Sequence, residues 1–384
     1  MIRELIHDDL PRLNELHARG TTQSASQKQV GERVYGELFP KLCLNHPWAN
    51  GRFSSLLFED RDGRANGVLS VMNRAFLLGE EPISAAISCE LFVDPLARGS
   101  LCGVQLLKQF LNGQQDLSLA DVANDKTREI WTRLGGRVLS VYGLTWMAVL
   151  EPCRFATALV LKGSTLGKLA RPVARVVDRV ARKFGTVDSD VDIAGLAGEP
   201  LTRSHMVEFA DELMSHHDVR LVYDEAGVDW LWNRFNYVSP GAGPSRQTLV
   251  RDASGTPIGW YIYQWKPGLV ARISQIVARR NAEPKVVAHL MQTLQRCGAP
   301  GAIGRVQPDL LQTLQDVGCL FRRRSRNVLV HSRREDVLNA FDAGAAFLSM
   351  LDGEGAVQIW NDPLAAIEQF KSDDRTALVA SATG

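Results

Sequence analysis

Residues Ile87 to Leu107 read ISCELFVDPLARGSLCGVQLL, and this stretch decides the fold. Ile87 to Val93 alternates as a half-buried strand does, with Leu91 and Val93 on one face and Glu90 and Phe92 on the other. Asp94-Pro95 stops the strand, because Pro95 lacks a ladder N–H and biases Asp94 away from helical angles. After Arg98-Gly99-Ser100 a helix is expected, since Val104, Leu107, Lys108 and Leu111 are spaced to give it an apolar side. A helix that begins straight off a strand end, with glycines at Gly99 and Gly103, gathers unpaired backbone N–H groups and the positive end of its dipole at one point. Such a corner is an anion site, usually for phosphate or pyrophosphate.

Downstream, Asn124 to Gly135 reads NDKTREIWTRLG, a short helix closed by glycine. Together the two segments resemble the GNAT superfamily of N-acetyltransferases. Arg98, Gly99, Ser100, Leu101, Cys102 and Gly103 are similar to its acyl-CoA loop, R/Q-x-x-G-x-G/A, with Leu101 standing at the first glycine. Val93, Asp94 and Pro95 fit the V-x-P that precedes the loop. Asn124 to Gly136 is similar to the second motif, N-x-x-A-x-x-L-Y-x-K-L-G-F. There Thr127 replaces alanine, Trp131 the tyrosine and Gly136 the phenylalanine. The resemblance implies acetyl-CoA as co-substrate. Its pantetheine arm would lie on the backbone at Leu91, Phe92 and Val93, and its diphosphate on the N–H groups from Arg98 through Val104, with Asn124 beside them. No metal is implied.

The implied reaction is transfer of an acetyl group to a primary amine of a small molecule or sugar. It needs a proton acceptor, and Glu90 alternates toward the cleft from mid-sheet. A structural hydrogen-bond role for Glu90 is equally open. In the family the tyrosine of the second motif often protonates the departing thiolate. An indole N–H does not, so Tyr142 is the candidate stand-in. Two rival readings are a non-catalytic acyl-CoA or protein binding module, and an aminoacyl transferase working from charged RNA. The second predicts a long basic groove, which a formal net charge of +1 disfavours.

The rest of the 384 residues fits two domains. The composition, 45% hydrophobic and 23% charged, is that of a globular protein, and the balanced charge argues against a nucleic-acid binder. The six cysteines stand apart without C-x-x-C or zinc spacing, which reads as reduced thiols. No apolar run has the length of a membrane span, and MIRELIHDDL is charged where a secretory signal is apolar, so the cytoplasm is the expected location. Oligomeric state is left open.

Along the chain, residues 2–6 read as a strand, and Asp8 or Asp9 caps a helix through Leu10, Leu13 and Leu16. Gly20 to Gln29 is polar enough for a loop. Tyr35, Phe39, His46 and Trp48 either line the acceptor side or close a small core. Strands at Ser54–Glu59 and Gly67–Leu77 flank a turn at Asp60–Gly63, Leu117–Val122 is the next strand, and Arg137–Glu151 supplies two final strands. Leu166 to Phe184 is a basic amphipathic stretch, read as a connector or a docking helix for an acidic surface. The second half repeats this outline. Leu249–Trp265 answers Leu57–Val71, Gly259 answers Gly67, and Gly318 answers Gly135. Its loop, Arg279 to Lys285, has no glycine, and Glu283 and Pro284 are unsuited to phosphate, so a second nucleotide site is not expected. Trp230, Trp232 and Phe235 form either a stacking surface or a core cluster.

The expected architecture is therefore α/β (α+β), with two tandem GNAT-like domains. Each is a mixed, mostly antiparallel twisted sheet with flanking helices. The domains are residues 1–152 and 199–335, joined by a basic linker at 153–198 and followed by an extension at 336–384.

Overall fold

The computed structural model describes residues 1–20, 39–49, 53–97, 101–160, 191–235, 243–323 and 326–354. The basic stretch Leu166 to Phe184, Tyr35, and all but the first residue of the polar Gly20–Gln29 segment lie outside them. The first half supplies strands β1 (Ile2–Glu4), β2 (Leu56–Glu59), β3 (Ala65–Leu78), β4 (Glu81–Val93), β5 (Leu117–Ala123), β6 (Arg137–Val138) and β7 (Leu144–Val149). Helix α1 (Leu10–Gly20) follows β1, α2 (Cys102–Leu111) joins β4 to β5, α3 (Asp125–Arg133) follows β5, and α4 (Pro152–Val160) follows β7. The second half supplies β8 (Ala197–Pro200), α5 (Arg203–Met214), β9 (Val219–Leu221), α6 (Glu225–Phe235), β10 (Ser245–Arg251), β11 (Pro257–Gln264) and β12 (Ala271–Ala278). It continues through α7 (Glu283–Cys297), β13 (Gly301–Arg305), α8 (Leu311–Asp316), β14 (Leu320–Arg323), β15 (Asn327–His331) and α9 (Glu335–Asp342).

The strands form two sheets, each antiparallel except at one parallel pair, β4–β5 in the first and β12–β13 in the second. The order is β1-β2-β3-β4-β5-β15-β6 in the first, with β9 against β3, and β14-β7-β13-β12-β11-β10-β8 in the second. The halves thus exchange strands, which differs from the expectation that Arg137–Glu151 puts both its strands in the first sheet. β6 stays, but β7 inserts between β13 and β14, and β15 returns to fill the place between β5 and β6. Packing explains where β7 goes. Gly304 lies against Trp146, where a Cβ would come within 2.7 Å of the indole, and the indole N–H donates to the Arg305 carbonyl at 3.0 Å. The boundary near Pro152 therefore divides the chain but not the sheets, and one apolar core includes Leu57, Ile87, Leu249, Trp260 and Val330 together.

The two halves share local geometry. Asp60 and Asp252 both hold a turn by accepting backbone N–H groups two and four residues on, and the turn glycines Gly63 and Gly255 have φ of 74° and 83°. Gly67 and Gly259 let a helix approach the sheet. A Cβ on Gly67 would sit 2.4 Å from Cys102 Sγ of α2, and one on Gly259 would sit 2.8 Å from Val286 Cγ2 of α7.

Candidate functional site

β4 and β5 pair only at Ala85–Leu117, Ala86–Ser118 and Ile87–Leu119, yet β4 runs on to Val93 and β5 to Ala123. The cause is a bulge. Ser70 pairs with Glu90 and Val71 with Ser88, so Cys89 is the extra residue, and the strand bends there. Beyond Ile87 the two strands open into a wedge, with backbone N–H and C=O groups of β4 turned toward the gap. Leu91 and Val93 pack on the α2 side, and Phe92 faces α1, its ring 4.9 Å from that of His17. Asp94 then pins the turn. Its carboxylate accepts from Arg19 at 2.7 Å and from the Leu96 N–H at 2.9 Å, and burial opposes while these bonds lower its pKa.

Past this turn α2 begins at Cys102, and its first intrahelical bond is Gln105 N–H to Leu101 O at 2.9 Å. By helix geometry the N–H groups of Cys102, Gly103 and Val104 lie upstream of that ladder and are directed toward the wedge end of the helix. Arg98, Gly99 and Ser100 lie outside the described residues. Cys102 is buried against Gly67, and burial pushes its thiol up to about 12, so it is an apolar plug for the helix start and not a nucleophile. Leu101 has φ of 57° and is 64% exposed. A left-handed leucine carries strain of roughly 1–2 kcal/mol that glycine does not. We expect Leu101→Gly to raise stability by about 1 kcal/mol in denaturant unfolding and to leave anion binding at this corner equal or tighter. A fall in stability would show that the exposed leucine has packing value.

The second sheet has the same construction. β12 pairs with β13 only through Ile273–Gly304, and Ser274 is its extra residue, because Ile262 pairs with Gln275 and Tyr263 with Ile273. Asn281, with φ of 67°, answers Leu101. This wedge is filled. Met350 N–H donates to Ser274 O at 3.1 Å, Gln275 Nε2 donates to Ser349 Oγ at 3.0 Å and to Tyr223 Oη at 2.6 Å, and Arg305 reaches Ser349 O at 3.3 Å. The segment from Ala346 to Glu354 therefore fills this wedge, and its end, at Gly353 and Glu354, packs on Asp121 of β5 in the first.

No family model and no curated relative matches the sequence. Solved structures do match over most of the chain. A GCN5-related N-acetyltransferase from Anabaena variabilis superimposes with a TM-score of 0.56 at 12% identity, covering 88% of this chain and 74% of its own. One from Kribbella flavida gives 0.52 at 13% identity, with 86% and 70% covered. A protein of unknown function from Enterococcus faecalis V583, described as a probable N-acyltransferase, gives 0.53 at 11% identity, with 86% and 72% covered. The fold is that of the GCN5-related N-acetyltransferases. At these identities the likeness is one of fold. Both halves have a parallel strand pair that parts at a bulge, and in the second half the gap is filled by the segment from Ala346 on.

The sequence-derived residues distribute unevenly on this GNAT frame. Glu90 is half-buried at the bulge, within electrostatic reach of Glu354. Tyr142 requires a correction. It is 1% exposed, its hydroxyl donates to the Ala346 carbonyl at 2.8 Å, its ring packs on Phe341, and burial raises its pKa far above the usual phenol. Its hydroxyl is committed to the segment at Ala346. Trp131 is also sealed, its indole N–H donating to Val330 O at 3.2 Å. Its ring explains Gly136, where a Cβ would fall 1.7 Å from the indole, so the two departures from the second motif compensate one another. Asn124 acts as the N-cap of α3, accepting from Thr127 N–H at 2.9 Å. That use engages its side-chain oxygen.

Of the aromatics considered for the acceptor side, Phe39 is wholly buried in the core, and Trp48 packs beneath Arg74 at 4.1 Å and beside Trp230 at 5.5 Å. Trp230 and Trp232 pack on the same core, and the Phe235 side chain lies outside the description. His46 faces a cavity of about 210 Å³ shared with Ser55 and Asn73, and burial with the nearby Arg74 charge lowers its pKa to about 4.

Sequence reasoning missed three charged groups on the floor of the wedge. Asp121 on β5 and Arg305 on β13 form a fully buried ion pair at 2.6 Å that ties the two sheets together. Glu354 N–H donates to Asp121 at 2.6 Å, and Gly353 is tight against the same carboxylate. Desolvation, and then Asp121 and Glu90, raise the Glu354 carboxyl well above the usual range against the pull of Arg326 and Arg305. A charge inside LSLADVA was the available signal, because that strand is buried throughout. Asp121→Leu leaves the Arg305 guanidinium unpaired in the interior and should cost about 3–5 kcal/mol. Asp121→Leu with Arg305→Met should cost less than Asp121→Leu alone. Equal or additive losses in a double-mutant cycle would contradict this.

Proposed function

We propose that this chain is an acyl-CoA-dependent N-acyltransferase, with acetyl-CoA as donor and a primary amine of a small molecule or sugar as acceptor. The observation that supports it is the parting of β4 from β5 past Ile87, together with the first turn of α2 at the end of β4. The pantetheine arm would run along β4 from Cys89 to Val93, matching its amides to strand groups that β5 no longer uses. The diphosphate would take the N–H groups of Cys102, Gly103 and Val104 together with those of Arg98, Gly99, Ser100 and Leu101. There the helix dipole favours negative charge. In this reading the thioester would lie near the Cys89 bulge. The amine attacks the thioester carbonyl carbon, a C–N bond forms, the C–S bond breaks, and Glu90 accepts the proton lost by the amine. With Tyr142 sealed, the sulfur leaves as thiolate, a stable species near neutral pH given an ordinary thiol pKa of about 8.5.

The burial of both Tyr142 and Trp131 favours one other reading, a module that binds acyl-CoA without turnover. Supplying acetyl-CoA with a panel of amines and following thiol release separates the two. Release that needs both the amine and Glu90 supports the enzyme. Binding without release supports the module.

A further inference from the structure

Away from the wedge, three potential ligands from distant parts of the sequence converge beside the start of α7. His216 and His217 follow the end of α5, and Asp309 precedes α8. His216 Nε2 and Asp309 Oδ2 are shielded from solvent, and neither has a hydrogen-bond partner. His217 is 4% exposed, and its Nε2 lies 3.6 Å from Asp309 Oδ2. One ligand atom from each of the three falls within 4.8 Å of the others. The two imidazole rings lie 4.0 Å apart. His216 also hydrogen-bonds the Leu213 backbone, which leaves its orphaned Nε2 as the nitrogen aimed inward. That is the arrangement in which a histidine is oriented for a metal through its other nitrogen.

We propose that His216, His217 and Asp309 bind a divalent transition metal, with zinc the best match to two imidazoles and one carboxylate. Tetrahedral zinc with bonds of about 2.0–2.1 Å spaces its ligand atoms roughly 3.4 Å apart. The His217–Asp309 separation, 3.6 Å, is close to that value, and the widest gap must close by roughly 1–1.5 Å, within reach of side-chain rotation. Glu283, at the start of α7, lies within electrostatic reach of both Asp309 and His217 and is placed to take or orient the fourth position. Arg280 is the opposing charge near His216, offset by these two carboxylates, while Arg279 is occupied by Glu212. The ion would join α5, α7 and α8 at the corner that corresponds to the start of α2 in the first half. The role is structural: His217 also packs on Phe347, at the root of the segment that fills the second wedge.

The test is calorimetric titration of zinc chloride into untagged, chelator-stripped full-length protein, with cobalt(II) absorption as a second readout. We expect one saturable site, a tetrahedral cobalt spectrum, and a metal-dependent rise in melting temperature. His216→Ala and Asp309→Asn, each checked for native circular dichroism, should weaken zinc at least tenfold and abolish the thermal shift. Because His217 is the more deeply buried, His216 and Asp309 are the informative positions. Absence of a saturable site, or undiminished binding in folded His216→Ala/Asp309→Asn, overturns the proposal.

Discussion

Expressed separately, residues 1–160 and 191–354 are each expected to fail as soluble folded proteins, and co-expression is expected to recover a complex. The strand exchange requires it. Without β15, the first half leaves the outer edge of β5 unpaired and β6 without a neighbour, while β7 has no sheet to enter. Without β7, the second half loses the strand between β13 and β14. Open edges of this kind template aggregation. The interior adds to the effect, because Asp121 and Arg305 would each become a buried charge with no partner. Soluble, cooperatively unfolding halves would show that each sheet closes on its own strands.

The second large effect is at the wedge rim. Gly103 faces β4, and a Cβ there would meet Val93 Cγ2 at 3.4 Å and Leu91 Cδ2 at 4.0 Å, ordinary contacts. Gly103→Ala should therefore fold and bind acyl-CoA much as the native protein does. Gly103→Glu adds bulk and a negative charge beside the first free N–H groups of α2. It should weaken acetyl-CoA at least 100-fold, about 2.7 kcal/mol, with the alanine variant and a melting curve controlling for the fold. Unchanged affinity in folded Gly103→Glu would mean the ligand lies elsewhere.

Much of this frame was legible in the chain. Pro95 and the apolar spacing after it located the turn and α2, and Asp60, Gly63, Asp252 and Gly255 betrayed the duplicated hairpin, because those turns are fixed by their own residues. The exchange of β7 and β15 was not legible. LTWMAV and NVLVH satisfy either sheet by pattern, and only Trp146 over Gly304 decides between them. The left-handed state of Leu101 was hidden for a related reason, since a leucine gives no local signal for positive φ. Tyr142 misled because its position after the second motif says nothing of the Ala346 carbonyl that holds it. The wedge floor was half legible, as Asp121 stands out in its strand while Glu354 reaches it from far along the chain. Among the described residues no helix is long and apolar enough to cross a membrane.

The central claim is that the first wedge, and not the second, takes acyl-CoA. Calorimetric titration of acetyl-CoA into the folded full-length protein tests it most directly. The account predicts saturable heat at one molecule per chain, absent in Gly103→Glu. A flat titration of protein shown to be folded, or two molecules per chain, would contradict it.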